Sequence, residues 1–382
     1  MSLAPVRLAW LDALRGPAAL AVTLHHAGWT FAPALWAQVD RRVDVGTWGV
    51  FVFFLVSGYI IPASLERRGD LRGFWAGRAF RLLPLLLLAC AATLLLGHGE
   101  TSAGTGGDRP AALIALGNLT MTQELLGLPA VIGVMWTLSY EMAFYLVTVG
   151  LFAAGKALRS AGTAVALALL AVPAGLLLPG ATINDRVDLP AVLLGLAVVA
   201  VIAVTMLDGG RARRVAAVAG GVLGLALVVL GSRAGTWQGV IILAAMFAGT
   251  AVHRAEQGVI RPRTAVGAVA AVLVSGLFAK DDPAWAAALV LAVAAFGLAF
   301  ALRRRTFPRW LTGLGVISFS LYLLHPLVLR LTPNPVVFYL VLIPLCLLTY
   351  RLVESPAQRL GKRLVRAGQA GTEERARRAE TA

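Results

Sequence analysis

The sequence predicts an all-α protein: a polytopic transmembrane helix bundle of about 10–12 spanning helices with both termini on the cytoplasmic side. Three observations lead to this prediction. Of the 382 residues, 59% are apolar and only 14% are charged, whereas a soluble domain is about 25% charged. Apolar stretches long enough to cross a bilayer as helices recur along the chain. Most of the basic residues lie in the short segments between those stretches.

Helices are the expected spanning form, because a bilayer core has no water to satisfy exposed backbone amides. The twelve predicted spans cover residues 8–31, 46–65, 82–97, 131–154, 161–179, 189–207, 213–231, 237–253, 264–279, 284–302, 310–330 and 335–353. The segment Ala111–Leu126 is apolar but too short to cross, so we expect a re-entrant or interfacial piece there.

The distribution of basic residues predicts the orientation of the chain. With the N-terminus inside, 26 Lys and Arg residues fall on the inner side and 7 on the outer side, with Arg15 left within the first span. Cytoplasmic loops of membrane proteins carry such an excess of basic residues. We therefore expect an N-in, C-in arrangement.

Composition also predicts two parts of the chain: a transmembrane domain over residues 1–355 and a basic, disordered cytoplasmic tail over residues 356–382. The net charge of +15 does not indicate nucleic-acid binding, because the basic residues are spread over short loops that report membrane orientation. Cys90 and Cys346 lie inside apolar runs without metal-ligand spacing, and we predict no metal site.

Ionisable residues inside a span are costly in hydrocarbon, so they are candidates for function. The first span holds Asp12, Arg15, His25 and His26. Arg15 and His26 are eleven residues apart, which puts them within roughly 20° of one helix face and about 16 Å apart along it. Asp12 can pair with Arg15, and Pro17 is expected to kink or break the helix. The alternative interpretation is a snorkelling Arg–Asp pair with interfacial histidines.

Arg78 and Arg81 lie at i and i+3 at the predicted inner interface of the third span. Guanidinium groups grip phosphates with bidentate contacts, so this pair is a candidate phosphate site. Topology alone would also put arginines at this position. The preceding span contains Ser57 among glycines and large aromatic residues, a composition that close helix packing also explains.

Two later spans each contain a further ionisable residue. Glu141 has no sequence-local cation, so it is either protonated or paired across helices with a group such as His26 or Arg15. His325 is a second imidazole, in the outer half of the eleventh span. A lone interfacial histidine is unremarkable, whereas one that faces the same cavity as His26 is a candidate for function.

Taken in order, these segments resemble those of integral-membrane acyltransferase family three, which includes O-antigen acetylases and macrolide acyltransferases. The similarity covers nearly the whole chain, and it departs modestly from the family where Val56 and Tyr59 replace common Leu and Phe. The matching segments are Leu11–His26, with Arg15 and His26 separated by ten residues, Gly49–Tyr59, Phe74–Pro84, Trp136–Tyr145, Tyr322–His325 and Glu354–Pro356.

This resemblance implies an acyltransferase that moves an acyl group, commonly acetyl, from acyl-CoA to a hydroxyl of a glycan or a secondary metabolite. It implies acyl-CoA as a co-substrate and no permanently bound cofactor. The expected partners are therefore acyl-CoA, the hydroxylated acceptor and the lipid bilayer, with no nucleic acid. The expected location is the inner (cell) membrane of a bacterium, as a multi-pass protein.

The mechanism that fits gives His26 the role of general base, oriented by Glu141 or another acid, because an acceptor hydroxyl is a poor nucleophile until it loses its proton. Arg15, Arg78 and Arg81 would hold the phosphates and pantetheine arm of acyl-CoA. The residues expected to support this site are Asp12, Ser57, Trp136, Ser139, Tyr145, Tyr322 and His325.

Two other classes of membrane protein are alternatives. A proton- or anion-coupled transporter could use buried Arg, Glu and His as its path. Against it, the sequence shows no internal repeat, and the buried charges cluster in the first 145 residues. A glycolipid glycosyltransferase or flippase should show carboxylates at a membrane-facing loop. Its loose candidates are Asp40, Asp44, Asp185 and Asp188.

Overall fold

The computed structural model describes residues 8–97, 109–178, 180, 188–207 and 209–380. These residues form helices joined mostly by short turns and contain no β-strand. The α-helices are, in chain order, α1 (Ala9–Phe31), α2 (Pro33–Asp40), α3 (Val45–Arg68), α4 (Leu71–Leu95), α5 (Ala111–Leu119), α6 (Trp136–Ala153), α7 (Ser160–Leu177), α8 (Asp188–Met206), α9 (Gly210–Gly231), α10 (Thr236–Glu256), α11 (Pro262–Ala279), α12 (Pro283–Ala301), α13 (Arg309–Val316), α14 (Ser318–Leu331), α15 (Pro335–Thr349) and α16 (Ser355–Glu380).

The predicted helical membrane bundle is confirmed. Among the described residues, 10 helices are long and apolar enough to cross a membrane, and α13 with α14, which are bent by 66° at their junction, can add one more. α1 also has spanning length, at 23 residues, but its ionisable side chains keep it outside this apolar set. The protein is a multi-pass membrane protein.

α1 lies inside the bundle rather than against lipid. It packs against α3, α12, α13 and α14, and Leu11, Ala18 and Ala19 are almost completely buried. The helix continues unbroken through Pro17, where a kink or break was expected. Because protein surrounds it on most sides, α1 can carry charged and imidazole groups that would be too costly against hydrocarbon.

Small residues let α3 run antiparallel to α1 at close range. A side chain on Gly49 would reach within 2.6 Å of the carbonyl oxygen of Ala18, so the two backbones touch there. At one end of the pair, the rings of Trp10 and Tyr59 meet edge to face with centroids 5.2 Å apart. At the other end, Gly46 faces the ring of His25.

α4 begins earlier than the predicted span over residues 82–97. Gly69 adopts a left-handed conformation (φ 64°) that ends α3, and Asp70 then caps α4 by accepting hydrogen bonds from the amides of Arg72 and Gly73. Arg78 and Arg81 therefore lie within a helix of 25 residues rather than in a loop.

The segment Ala111–Leu126 does not form a spanning helix, as expected. α5 covers only 9 residues, and the chain then turns back on itself. Asn118 fastens this turn, because its side-chain amide donates to the carbonyl of Pro129 at 2.9 Å and its oxygen accepts from the amide of Val131 at 3.0 Å. These bonds satisfy polar groups that would otherwise be buried without partners.

The chain beyond residue 355, predicted to be a disordered tail, is helical as far as Glu380. A π-helical turn, Tyr350–Glu354, joins α15 to this last helix. α16 packs against α4, where Gly361 lies against the ring of Phe80. The basic helix thus covers the part of α4 that carries the two arginines, a contact that composition alone does not reveal.

We expect Gly49→Ala to destabilise the protein by about 1–3 kcal/mol, the usual cost of overpacking a tight contact. The added methyl group would press on the Ala18 carbonyl and separate α1 from α3. Gly297→Ala is the matched control, because nothing lies within 4 Å of the position its side chain would take. Thermal unfolding midpoints in detergent compare the two, and equal midpoints would contradict the close α1–α3 contact.

Candidate active site

A polar cleft opens at the end of the bundle where α1 begins and α3 ends. Its volume is about 480 Å³, within the range of small-molecule sites. Cationic side chains from four helices line it, and Asp12, Glu354 and Gln358 are among its other polar groups. The cations are Arg15 of α1, Arg67 of α3, Arg81 of α4 and Lys362 of α16.

A smaller inner cavity of about 80 Å³ lies next to the cleft. Arg15 and Arg81 line both spaces, so the cleft and the inner cavity meet at these two guanidinium groups. The other polar groups of the inner cavity are Ser57, Arg78, Thr137, Glu141, Ser318 and Tyr322, set among apolar side chains.

Glu141 is held in the inner cavity by two hydroxyl groups. Tyr145 donates to its Oε1 at 2.6 Å, and Ser57 donates to the same oxygen at 3.5 Å. The guanidinium of Arg78 stands over the rings of Phe74 and Tyr145, 5.8 Å from each centroid. Glu141 therefore lines the same cavity as Arg15, Arg78 and Arg81, and its described hydrogen bonds come from hydroxyl groups rather than from these cations.

The two predicted imidazoles of α1 and α14 meet. His325 Nε2 lies 3.2 Å from His26 Nδ1, although 299 residues separate them in the chain. His26 Nδ1 also lies 2.9 Å from the carbonyl oxygen of Val22, and His325 Nδ1 lies 3.1 Å from that of Leu321. His325 is completely buried, whereas His26 is half-buried.

Tyr322 stands between the histidine pair and the inner cavity. Its ring lines the cavity and lies 6.3 Å from the ring of His325. Its hydroxyl donates to the carbonyl of Val134 at 2.8 Å and lies 2.7 Å from the hydroxyl of Thr137. This hydrogen bond to the backbone before α6 holds the Tyr322 ring in place, so the ring forms a rigid part of the cavity lining.

The other predicted supporting residues have structural contacts. Asp12 lines the cleft with Arg15, one helical turn away. The hydroxyl of Ser139 accepts a 3.3 Å bond from the amide of Glu124 and so holds the turn that precedes α6. Trp136 packs edge to face against Tyr140, with ring centroids 5.9 Å apart. Neither Trp136 nor Ser139 lines the inner cavity.

Glu141 or another acid was expected to orient His26, and no described hydrogen bond joins Glu141 to His26. Glu141 accepts hydrogen bonds from Ser57 and Tyr145, whereas the His26 ring contacts Val22, His325 and the ring of His25. The physical reason is the position of the two residues. Glu141 lines the inner cavity with the arginines of α1 and α4, while His26 lies nearer the opposite end of α1.

Three residues at the site have no role that the sequence predicts. Glu354 is buried, accepts a hydrogen bond from Ser320 and lines the cleft. Arg67 and Lys362 line the same cleft. From the sequence, Arg67 is one of the basic residues that indicate membrane orientation, and Lys362 belongs to the predicted tail. A π-helical turn carries Glu354, and such turns are frequent at functional sites.

A third group lies beyond the histidine pair, around His25. Its Nδ1 is 3.5 Å from Asp40 and 4.0 Å from Asp44, and Trp36 donates to it at 3.4 Å. Burial raises the pKa of Asp40, which ends α2, while the neighbouring His25 opposes that rise. His25, Asp40 and Asp44 each offer one atom that could bind a metal ion, and these three atoms lie within 4.8 Å of one another. The side chain of Asp44, however, already caps α3 by accepting a hydrogen bond from the amide of Thr47.

The remaining sequence candidates have little to do with this site. Asp185 lies outside the described residues, and Asp188 begins α8, which does not contribute to the cleft or the inner cavity.

Tyr59, where the resembled family commonly has Phe, uses its hydroxyl to donate to Glu256 of α10. Arg303 donates to the same carboxylate at 2.5 Å, so this bond fixes one wall of the cleft.

Comparison with known proteins identifies one family. The family model Acyl_transf_3, described as an acyltransferase domain, matches residues 8–350. No curated protein and no solved structure matches the chain. The matched range includes every helix that contributes to the inner cavity and all of the residues that line the cleft except Glu354, Gln358 and Lys362.

Proposed function

The chain belongs to acyltransferase family three, and on this premise we propose that it is an O-acyltransferase that uses acyl-CoA. The acyl group, acetyl in the simplest case, passes to a hydroxyl of a glycan or a secondary metabolite in the inner (cell) membrane of a bacterium. One observation carries the proposal. A cationic cleft, the two shared arginines and a histidine pair follow one another along α1.

The cleft suits the phosphate groups of the donor. Guanidinium and ammonium groups bind phosphates through charge-assisted hydrogen bonds, and Arg15, Arg67, Arg81 and Lys362 present four cations around one opening. The basic loops predict that this end of the bundle faces the cytoplasm, where acyl-CoA is made. Asp12 and Glu354 balance part of the charge when the cleft is empty.

The donor's extended arm can connect the cleft to the histidines. Arg15 and His26 are eleven residues apart on one continuous helix, a distance of about 16 Å. The inner cavity lies on this route but has a volume of only about 80 Å³. We therefore expect its apolar lining, including Phe53 and Phe319, to move when the acyl-bearing end of the donor passes the arginines.

The reaction needs one base and one site for the leaving group. The acceptor oxygen attacks the thioester carbonyl carbon while its proton passes to His26 Nε2. The carbon–sulfur bond breaks, and the leaving thiolate takes the proton from the histidine to give free CoA. Glu141, with its bonds to Ser57 and Tyr145, balances the charge of Arg15 and Arg78 in this account, so it is not the group that orients His26.

The first test is acyl transfer by the purified protein in nanodiscs, with labelled acetyl-CoA and a panel of hydroxylated acceptors. His26→Gln should lower kcat by about 10²–10⁴, the usual contribution of a general base. Arg15→Gln should mainly raise the KM for acetyl-CoA. His25→Gln is the matched control. His25 is the next residue in the chain, but its imidazole faces Asp40, whereas that of His26 faces His325.

Full turnover by His26→Gln would remove His26 from the chemistry. If the wild type bound no short acyl-CoA and instead carried protons or anions across the membrane, the transporter alternative would replace the enzyme.

A second experiment tests the cleft. Replacing both Arg67 and Lys362 by Gln should raise the KM for acetyl-CoA about 10- to 100-fold, as expected for two lost charge-assisted contacts of roughly 1.4 kcal/mol or less each. The KM for acetyl-pantetheine, which lacks the nucleotide phosphates, should not change. Arg363→Gln is the control, because Arg363 is exposed and does not line the cleft. Equal effects on both donors would place the phosphates elsewhere.

A further inference from the structure

We infer that His325 is the positioning residue of this site: its Nε2 accepts the Nδ1 proton of His26 and so leaves the lone pair of His26 on Nε2. The inference rests on the proposed function and adds a role that the sequence does not reveal. The two rings approach from different helices, with 3.2 Å between His325 Nε2 and His26 Nδ1. Exactly one proton can lie between two nitrogens in a hydrogen bond of this kind.

Two backbone carbonyls decide which nitrogen holds that proton. A carbonyl oxygen only accepts, so His325 Nδ1, 3.1 Å from the oxygen of Leu321, must carry a hydrogen. A neutral His325 then has its lone pair on Nε2, facing His26. In the same way His26 Nδ1, 2.9 Å from the oxygen of Val22, must carry a hydrogen. The two assignments agree, because one donor then faces one acceptor across the pair.

The opposite tautomer of His26 would bring two acceptors against its Nδ1. Its Nδ1 lone pair would face the oxygen of Val22 and the lone pair of His325 Nε2, which are both acceptors. A doubly protonated His325 is also disfavoured, because its Nε2 hydrogen would face the Nδ1 hydrogen of His26. The contacts therefore fix the Nδ1–H form of His26, and its basic nitrogen is Nε2.

Burial separates the roles of the two rings. His325 is completely buried, so no acceptor hydroxyl reaches it, whereas His26 is half-buried. In hydrolases a buried carboxylate holds the catalytic histidine in the correct tautomer, and loss of that tautomer is costly. Here a neutral imidazole supplies the accepting atom. When His26 Nε2 takes the proton of the acceptor hydroxyl, the Nδ1 hydrogen stays bonded to His325 and Val22, which stabilises the cation.

Two substitutions of His325 separate positioning from packing. Gln can put its side-chain oxygen where Nε2 of the imidazole was, so His325→Gln should keep kcat within about tenfold of wild type. His325→Leu fills the buried site without an acceptor and should lower kcat by about 10² or more. Neither variant should change the KM for acetyl-CoA, since the cleft lies at the other end of α1.

A spectroscopic signature supplies the second readout. In protein labelled with ¹⁵N-histidine, the shifts of His26, assigned by comparison with His26→Gln, should report the Nδ1–H tautomer in wild type and in His325→Gln. In His325→Leu the population of this tautomer should fall, because the Nδ1 hydrogen then loses one of its two acceptors, the Nε2 of His325. Thermal unfolding of both variants near the wild-type midpoint shows that the comparison concerns folded protein.

Three outcomes would overturn the inference. The first is equal turnover by His325→Leu and wild type, since no accepting atom would then be needed. The second is a folded His325→Gln as inactive as His325→Leu, since an acceptor alone would then be insufficient. The third is an Nε2–H tautomer of His26 in wild type. A wild type that keeps the Nδ1–H tautomer but transfers no acyl group would contradict the proposed function and leave the positioning contact supported.

Discussion

The structure depends on the burial of one helix that a bilayer would not accept alone. α1 carries Asp12, Arg15, His25 and His26 through the bundle, and neighbouring helices surround it. Charged and imidazole groups at this depth must find partners within the protein, because hydrocarbon offers none. Arg15 shares the cleft with the carboxyl groups of Asp12 and Glu354, and His26 meets His325. The polar route along α1 is the consequence.

The proposed chemistry follows from how that route divides. Cations gather at the end where α1 begins, in a cleft of about 480 Å³, and imidazoles gather toward the other end. Between them the inner cavity is narrow and largely apolar. This division would separate binding of a charged donor from the abstraction of a proton. The same helix positions both functions, so their separation is set by helical geometry.

The sequence predicted the parts of this arrangement that depend on local spacing. Apolar runs gave the spans, and the interval between Arg15 and His26 gave one polar face. It could not predict contacts made between distant segments. The bond between His26 and His325 joins residues 299 positions apart, and Glu141 finds Ser57 from another helix. The sequence did not reveal the start of α4, because Gly69 and Asp70 lie among arginines of the kind that collects between spans.

In the proposed function, one molecule of acyl-CoA reaches from the cationic cleft to His26. A cryo-EM structure with a non-reactive thioether analogue of acetyl-CoA tests this most directly. We expect phosphate density among Arg15, Arg67, Arg81 and Lys362, with the thioether end beyond Tyr322, within about 4 Å of the His26 ring. Density for the analogue that ends on the cleft side of Arg15, or that lies on another face of the bundle, would contradict it.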